Sequence, residues 1–187
     1  MRVIAGIYKG FKLQSFSGKE IRPTPGRIRE AIFDIISAEI IGAEFLDLFA
    51  GTGAVGIEAI SRGAKNVTFV EIDNKAIALI KRNLQKISKD NLFTIIKSDY
   101  LRAIRFLNVK QKRFDIVFLD PPYNKNYFLK TLHEIDRNVI IKEGGLIIVQ
   151  HPADLVVKYD FENIFYFKEK KYGNSKITIF YINYKHT

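Results

Sequence analysis

Apolar runs alternate with amphipathic runs through the middle of the chain. Runs rich in β-branched and aromatic residues predict buried strands at 44–49, 66–71, 93–97, 114–119 and 146–150. Apolar residues at helical spacing predict helices at 54–62, 100–107 and 127–137, and a longer helix capped by Asp73 with Ile77, Ile80, Leu84 and Ile87 on its inner face. This alternation predicts an α/β fold, with a mainly parallel sheet and helices on both faces.

Short β elements flank this region. Strand candidates at 3–5 and 11–13 surround Gly6 and Gly10, and two further runs at 163–168 and 176–184 predict a closing hairpin. A helix is predicted after Thr24, which would cap it with Pro25 at its first position, and it should end near Gly42. The pattern therefore predicts an N-terminal hairpin arm at 1–24 and one domain at 25–187.

The first predicted strand runs into Gly51-x-Gly53-x-x-Gly56, which precedes a helix. Glycine accepts positive φ and has no Cβ, so such a turn lets the backbone and the free N–H groups of a helix start approach a ligand. Taken alone, the motif is equally typical of an ordinary tight turn. Glu71, Asp99 and Asp120 also follow predicted strands, however, and ligands of parallel sheets bind beyond the carboxyl ends of the strands.

The residues at two of these strand ends indicate which ligands and which reaction the site would suit. Glu71 lies 20 residues after Gly51, a spacing at which a carboxylate binds ribose hydroxyls in both nicotinamide-dependent and S-adenosylmethionine-dependent proteins. In Asp120-Pro121-Pro122-Tyr123, the prolines remove N–H donors and leave the Asp120 carboxylate and the Pro121 carbonyl as acceptors, while Tyr123 offers a flat face to a base. Acceptors of this kind suit an exocyclic amine, so methyl transfer is favoured over hydride transfer.

The composition of the chain indicates which class of molecule it binds. The 187 residues carry a net charge of +10, which favours nucleic acid, although the abundance of lysine and isoleucine would also fit an A/T-rich genome. The absence of cysteine excludes disulfides and cysteine metal sites and suits a reducing cytoplasm. No signal region or membrane span is evident, and His133, His151 and His186 lack metal-ligand spacing.

Together, the glycine turn, the strand-end acids and the Asp-Pro-Pro-Tyr motif resemble class I methyltransferases that act on amino groups. The Arg22-Pro23-Thr24 stretch, Arg27-x-Arg29-Glu30 and the two hairpins are similar to those of the bacterial 16S rRNA guanine-N2 methyltransferases of the RsmD family. The resemblance implies a Rossmann-like, mainly parallel seven-stranded sheet with a C-terminal antiparallel hairpin and a small N-terminal hairpin extension. It also implies methyl transfer from S-adenosylmethionine to N2 of a guanine in 16S rRNA.

The same resemblance implies roles for individual positions. The implied cofactor-binding residues are Asp47, Phe49, Gly51, Gly53, Glu71, Ile72, Ser98 and Asp99, and the implied catalytic residues are Asp120, Pro121, Pro122 and Tyr123. The implied RNA-binding residues are Lys9, Lys12, Arg22, Thr24, Arg27, Arg29, Lys170 and Lys171, although the arginines would equally suit the cofactor carboxylate. No metal is implied for direct transfer.

The expected partner is the small ribosomal subunit or its assembly intermediate, and a cytoplasmic monomer with no membrane association is expected. Other interpretations stay open at this stage. Related motifs serve enzymes that methylate DNA adenine or a protein glutamine, and the glycine turn alone also fits a nicotinamide oxidoreductase. A non-catalytic RNA-binding assembly factor could keep the same fold.

Overall fold

The structure, a computed structural model, describes residues 1–15, 25–87, 92–122, 125–155 and 160–184. Within these ranges the strands are β1 (Glu44–Asp47), β2 (Asn66–Glu71), β3 (Phe93–Lys97), β4 (Phe114–Leu119), β5 (Ile141–Pro152), β6 (Ile164–Tyr172) and β7 (Ser175–Ile182). The helices are α1 (Gly26–Ile35), α2 (Ala54–Ser61), α3 (Asn74–Ile87), α4 (Tyr100–Val109) and α5 (Lys125–Arg137). None of the described helices is both long and apolar enough to cross a membrane.

The strands form one sheet in the order β3-β2-β1-β4-β5-β7-β6. Strands β1 to β5 pair in parallel, whereas β7 runs antiparallel to both β5 and β6. The chain moves outward from β1 to β3 and then returns to place β4 on the other side of β1. The carboxyl ends of β1 and β4 therefore flank a topological switch point, where ligands bind in open parallel sheets. This arrangement confirms the predicted sheet and its C-terminal hairpin.

The central strands β1, β2 and β4 are buried on both faces, which explains why they are mostly apolar. Phe45, Phe69 and Phe118 point to one face and join the core beneath α1, α2 and α3. Leu46 and Val117 point to the other face, where α4 and α5 cover them. The predicted inner face of α3, including Ile80 and Leu84, is buried, and Asp73 caps that helix by accepting the N–H of Ala76 at 2.8 Å.

The N-terminal segment packs on the domain. Residues 3–5 and 11–13 do not form the regular strands that the sequence predicts, because a single antiparallel bridge, Arg2 to Lys12, joins the two arms of the hairpin. Val3 and Leu13 enter the core beside α1. The backbone N–H groups of Ile4 and Ala5 donate instead to the buried Glu58 carboxylate, each at 2.9 Å.

Two element boundaries differ from those predicted. Helix α1 begins at Gly26 with Pro25 at the N-cap, and it ends at Ile35 because turns then carry Ile36 and Ile40 into the core. Thr24 lies outside the described residues.

Strand β5 begins at Ile141 and includes the predicted Gly144-Gly145 turn. A shift in its register with β4 accommodates these glycines, and a Cβ at Gly145 would lie 3.0 Å from the Asp115 carbonyl oxygen. The predicted turn at Gly144-Gly145 is therefore wrong, because both glycines lie within β5.

Candidate active site

Positive-φ glycines shape the turn after β1. Gly51 has φ +52° and Gly53 has φ +75°, and the Gly53 N–H donates to the Ala50 carbonyl at 2.7 Å before α2 begins. Gly56 has a different role, because a Cβ there would lie 2.2 Å from the Phe69 ring. The first two glycines therefore permit the turn, and the third permits close packing of α2 on β2.

Glu71 connects this turn to the end of β2. Its Oε2 accepts the Gly51 N–H at 2.8 Å, while its Oε1 accepts the N–H groups of Ile72 and Asp73 at 2.7 and 2.9 Å. These bonds fix the carboxylate, which still has accepting capacity because each carboxylate offers about four lone-pair positions. The adjacent Ile72 side chain is 63% exposed, so an open apolar surface lies beside an oriented acceptor.

Asp47, at the end of β1, is the buried acid of the site. Burial raises its pKa to about 7, the Gly56 N–H that donates to its Oδ2 at 3.0 Å opposes this rise, and the charges of Asp120 and Glu71 add to it. Both carboxylates therefore act on Asp47 from the carboxyl edge of the sheet. This concentration of negative charge favours a cationic ligand group.

Ser98 and Asp99 extend the edge at β3. The Ser98 N–H donates to the Glu71 carbonyl at 3.1 Å, and Asp99 caps α4 by accepting the Leu101 N–H at 2.9 Å. The Phe49 ring lies 5.1 Å from Tyr100, which in turn lies 5.7 Å from Tyr127. The sequence indicates no site role for Tyr100, whose only signal is its position directly after Asp99.

Beyond β4 the edge opens into a cavity of about 940 Å³. Its lining comes from Pro25, Arg27, Ile28, Asp120, Gln150, Pro152, Ala153, Asp154, Lys171, Tyr172, Gly173, Asn174 and Ser175. Asp120, predicted to be catalytic, thus shares a cavity with Arg27 and Lys171, two predicted RNA contacts from distant parts of the chain. Pro121 is buried and Pro122 is exposed at the end of β4.

The other predicted RNA contacts are dispersed. Lys9, Lys12 and Lys170 are exposed, with the Lys170 ammonium 5.5 Å from the centre of the Tyr172 ring. Three predicted site residues, Arg22, Thr24 and Tyr123, lie outside the described residues.

Arg29 departs from the prediction. It is 2% exposed, its Nε lies 3.5 Å from Glu58 Oε2, and its Nη2 donates to the Arg2 carbonyl at 2.6 Å. Burial lowers its pKa and the Glu58 charge raises it. Arg29 faces the core from the same side of α1 as Phe33, so a contact with RNA phosphate or with a cofactor carboxylate is incompatible with its position.

A family model described as Conserved hypothetical protein 95 matches residues 1–181. The chain belongs to this family. It is 37% identical over 158 residues to the Haemophilus influenzae protein named ribosomal RNA small subunit methyltransferase D, covering 82% of this chain and 80% of that protein. The Escherichia coli K12 protein of the same name is 33% identical over 154 residues, covering 82% and 76%. This family match and the two relatives together confirm the family resemblance found in the sequence.

A solved structure supports the same conclusion. A candidate methyltransferase of Escherichia coli superposes on 98% of each chain with a TM-score of 0.84 and 29% identity. The fold is therefore the Rossmann-like fold of class I methyltransferases, as the sequence predicts.

Proposed function

We propose that this protein transfers a methyl group from S-adenosylmethionine to the exocyclic N2 amine of a guanine in 16S rRNA. The observation that carries the proposal is the position of Asp120. Its carboxylate acts on Asp47 at the strand edge, and its side chain also lines the cavity that contains Arg27 and Lys171. Asp120 thus borders both a surface suited to a cationic nucleoside and a cavity suited to an anionic substrate.

The strand edge fits S-adenosylmethionine. The fixed Glu71 carboxylate would accept the ribose hydroxyls, and the exposed Ile72 would pack on the adenine. Ser98 and Asp99 follow β3 next to Glu71, where they would read the adenine edge, while Asp47 would orient the cofactor's amino group. The cluster of acidic side chains suits the positive charges that the cofactor carries.

When bound, S-adenosylmethionine supplies an electrophilic methyl carbon, and transfer forms a carbon–nitrogen bond, leaves the electron pair of the broken carbon–sulfur bond on sulfur, and releases one amine proton. Asp120 and the Pro121 carbonyl would accept the two amine N–H groups, which favours a pyramidal nitrogen with its lone pair directed outward. The Asp120 carboxylate would also accept the released proton. Pro121 and Pro122 restrict the backbone that holds these acceptors.

The basic residues support an RNA substrate. Arg27 and Lys171 line the cavity, and Lys9, Lys12 and Lys170 are exposed on a chain of net charge +10. Such cations neutralise phosphates and position a substrate, while a base that is already unstacked in an RNA loop enters a site at little cost. The names of the relatives support rRNA of the small subunit, on which we expect a cytoplasmic monomer to act during or after assembly.

The test uses small subunits from a strain that lacks the corresponding methyltransferase, together with labelled S-adenosylmethionine. We expect label in 16S rRNA that is recovered as N2-methylguanosine after digestion and mass spectrometry. Asp120→Asn should lose activity by orders of magnitude while RNA affinity changes little, which distinguishes an enzyme from an RNA-binding assembly factor. Label in DNA, in protein or in N6-methyladenosine would overturn the proposal.

A further inference from the structure

One buried acceptor of the cavity is unpaired among the residues that the structure describes. Gln150 is 2% exposed and lines the cavity, yet no described residue donates a hydrogen bond to its Oε1. Its neighbour His151 is equally buried, but both ring nitrogens of His151 lie within hydrogen-bond distance of oxygens, at 2.9 Å from Pro152 O and 2.7 Å from Thr178 Oγ1. An unpaired buried acceptor destabilises the native state unless a ligand supplies a donor.

The sheet register places Gln150 beside Asp120. Strands β4 and β5 pair in parallel with Leu119 opposite Val149, so Asp120, which directly follows β4, lies next to Gln150 of β5. Phe118 and Ile148, each two residues earlier, both enter the core beside α1. Since side chains alternate between the faces of a strand, the acceptors of Asp120 and Gln150 leave neighbouring strand ends on the same face.

We propose that Gln150 determines base specificity: its Oε1 accepts the N1–H of the guanine whose N2 amine is held by Asp120. This inference rests on the proposed function. Guanine presents N1–H and the N2 amine as adjacent donors on its Watson–Crick edge, and Asp120 and Gln150 present acceptors from adjacent strands. Adenine instead presents its amine next to the unprotonated N1, which would place a lone pair against Oε1.

The state of Gln150 in the protein without substrate explains why guanine should be strongly preferred over adenine. A site whose buried polar group is satisfied only by the correct substrate rejects an analogue that lacks the matching donor, because the group then stays unpaired. Gln150 meets this condition, since before the base arrives its Oε1 is already buried and receives no hydrogen bond from the described part of the chain. Guanine therefore gains a hydrogen bond at N1 that adenine cannot provide.

The test compares guanine with 2-aminopurine at the methylated nucleotide, in subunits reconstituted with ligated 16S rRNA. 2-Aminopurine keeps the amine that accepts the methyl group but has an unprotonated N1. We expect the wild type to prefer guanine in kcat/KM, and Gln150→Met to reduce that preference on the order of 10- to 100-fold, mainly through slower guanine methylation. Lys171→Met is the matched control, since it should slow both substrates equally and leave their ratio unchanged.

The melting temperature separates this role from a structural one. Methionine fills a similar volume without an unpaired oxygen, so Gln150→Met should melt at the wild-type temperature or above it even though it methylates guanine more slowly. An unchanged ratio of guanine to 2-aminopurine in an active Gln150→Met protein would overturn the inference and leave N2 methylation intact. If the wild type produces no N2-methylguanosine, the proposed function fails first, and the role of Gln150 fails with it.

Discussion

Replacing Asp47 with Asn should change the pH dependence of stability. Asp47 is 1% exposed at the end of β1, and burial raises its pKa from 3.8 to about 7. Asparagine has the shape of the protonated acid, keeps an oxygen for the Gly56 N–H, and stays neutral at every pH. The pair of proteins therefore isolates the ionisation of one side chain.

The size of the effect follows from the pKa. Because the folded-state pKa of Asp47 is the higher one, the stability linked to its proton is complete below pH 3.8 and is lost as the pH rises through about 7. The stability falls by about 1.4 kcal/mol per pH unit up to about pH 7 and little above it, so the loss between pH 5 and pH 8 is about 2–3 kcal/mol. Asp47→Asn should thus gain about 2–3 kcal/mol of unfolding free energy relative to the wild type between these pH values.

Urea denaturation of both proteins at pH 5 and pH 8 measures this difference. A second measurement uses S-adenosylhomocysteine, whose amino group Asp47 is proposed to orient. Asp47 is about half protonated at pH 7, and a nearby cation favours its ionised form, so binding at pH 7 should release up to about half a proton from the wild type and none from Asp47→Asn. Calorimetry in buffers of different ionisation enthalpy detects this proton release. An identical pH dependence of stability in the two proteins would refute the assignment of a raised pKa to Asp47.

Four other substitutions test the remaining structure. Arg27→Gln should weaken 16S rRNA binding and reduce the slope of log affinity against log salt by about 1, whereas Arg29→Gln should leave that slope unchanged in any folded fraction. Glu58→Ala leaves Arg29 buried without its counter-ion and should lower the unfolding free energy by about 3–5 kcal/mol in urea titrations. Gly56→Ala places a Cβ against the Phe69 ring and should cost about 1–3 kcal/mol, measured by thermal unfolding.

The sequence predicts the parallel sheet well because the central strands β1, β2 and β4 are buried on both faces. The runs 116–119 and 67–70 are almost entirely apolar, and each is followed by an acid, Asp120 or Glu71, that cannot extend a buried run. The ends of strands are also where the fold brings distant residues together. The placement of Asp47, Glu71 and Asp120 at one edge therefore follows from the strand order, and the charges of Glu71 and Asp120 both contribute to the raised pKa of Asp47.

Side chains that depend on tertiary contacts are not predictable in this way. The sequence predicts Arg29 as a surface cation because arginine is rarely buried. Its buried position depends on Glu58, which lies on another helix and cannot be identified as its partner from the sequence. From the sequence, Gln150 is the polar end of a predicted strand, and only the coordinates show that its Oε1 is buried without a donor among the described residues. In both cases the missing information is the tertiary environment of the side chain, which is a distant carboxylate for Arg29 and a buried position without a donor for Gln150.

The strand order also explains why one acid would serve both substrates. In the order β3-β2-β1-β4-β5, the ends of β1, β2 and β3 carry the residues proposed to bind the cofactor, and the end of β5 carries Gln150 in the cavity. Strand β4 lies between these two groups, so its end borders both. An acid at the end of β1, one strand nearer β2, would not line the cavity. An acid at the end of β5 would not border the strand ends proposed to bind the cofactor. Under the proposed function, this sheet geometry would make Asp120 the position from which an amine is held against a methyl donor.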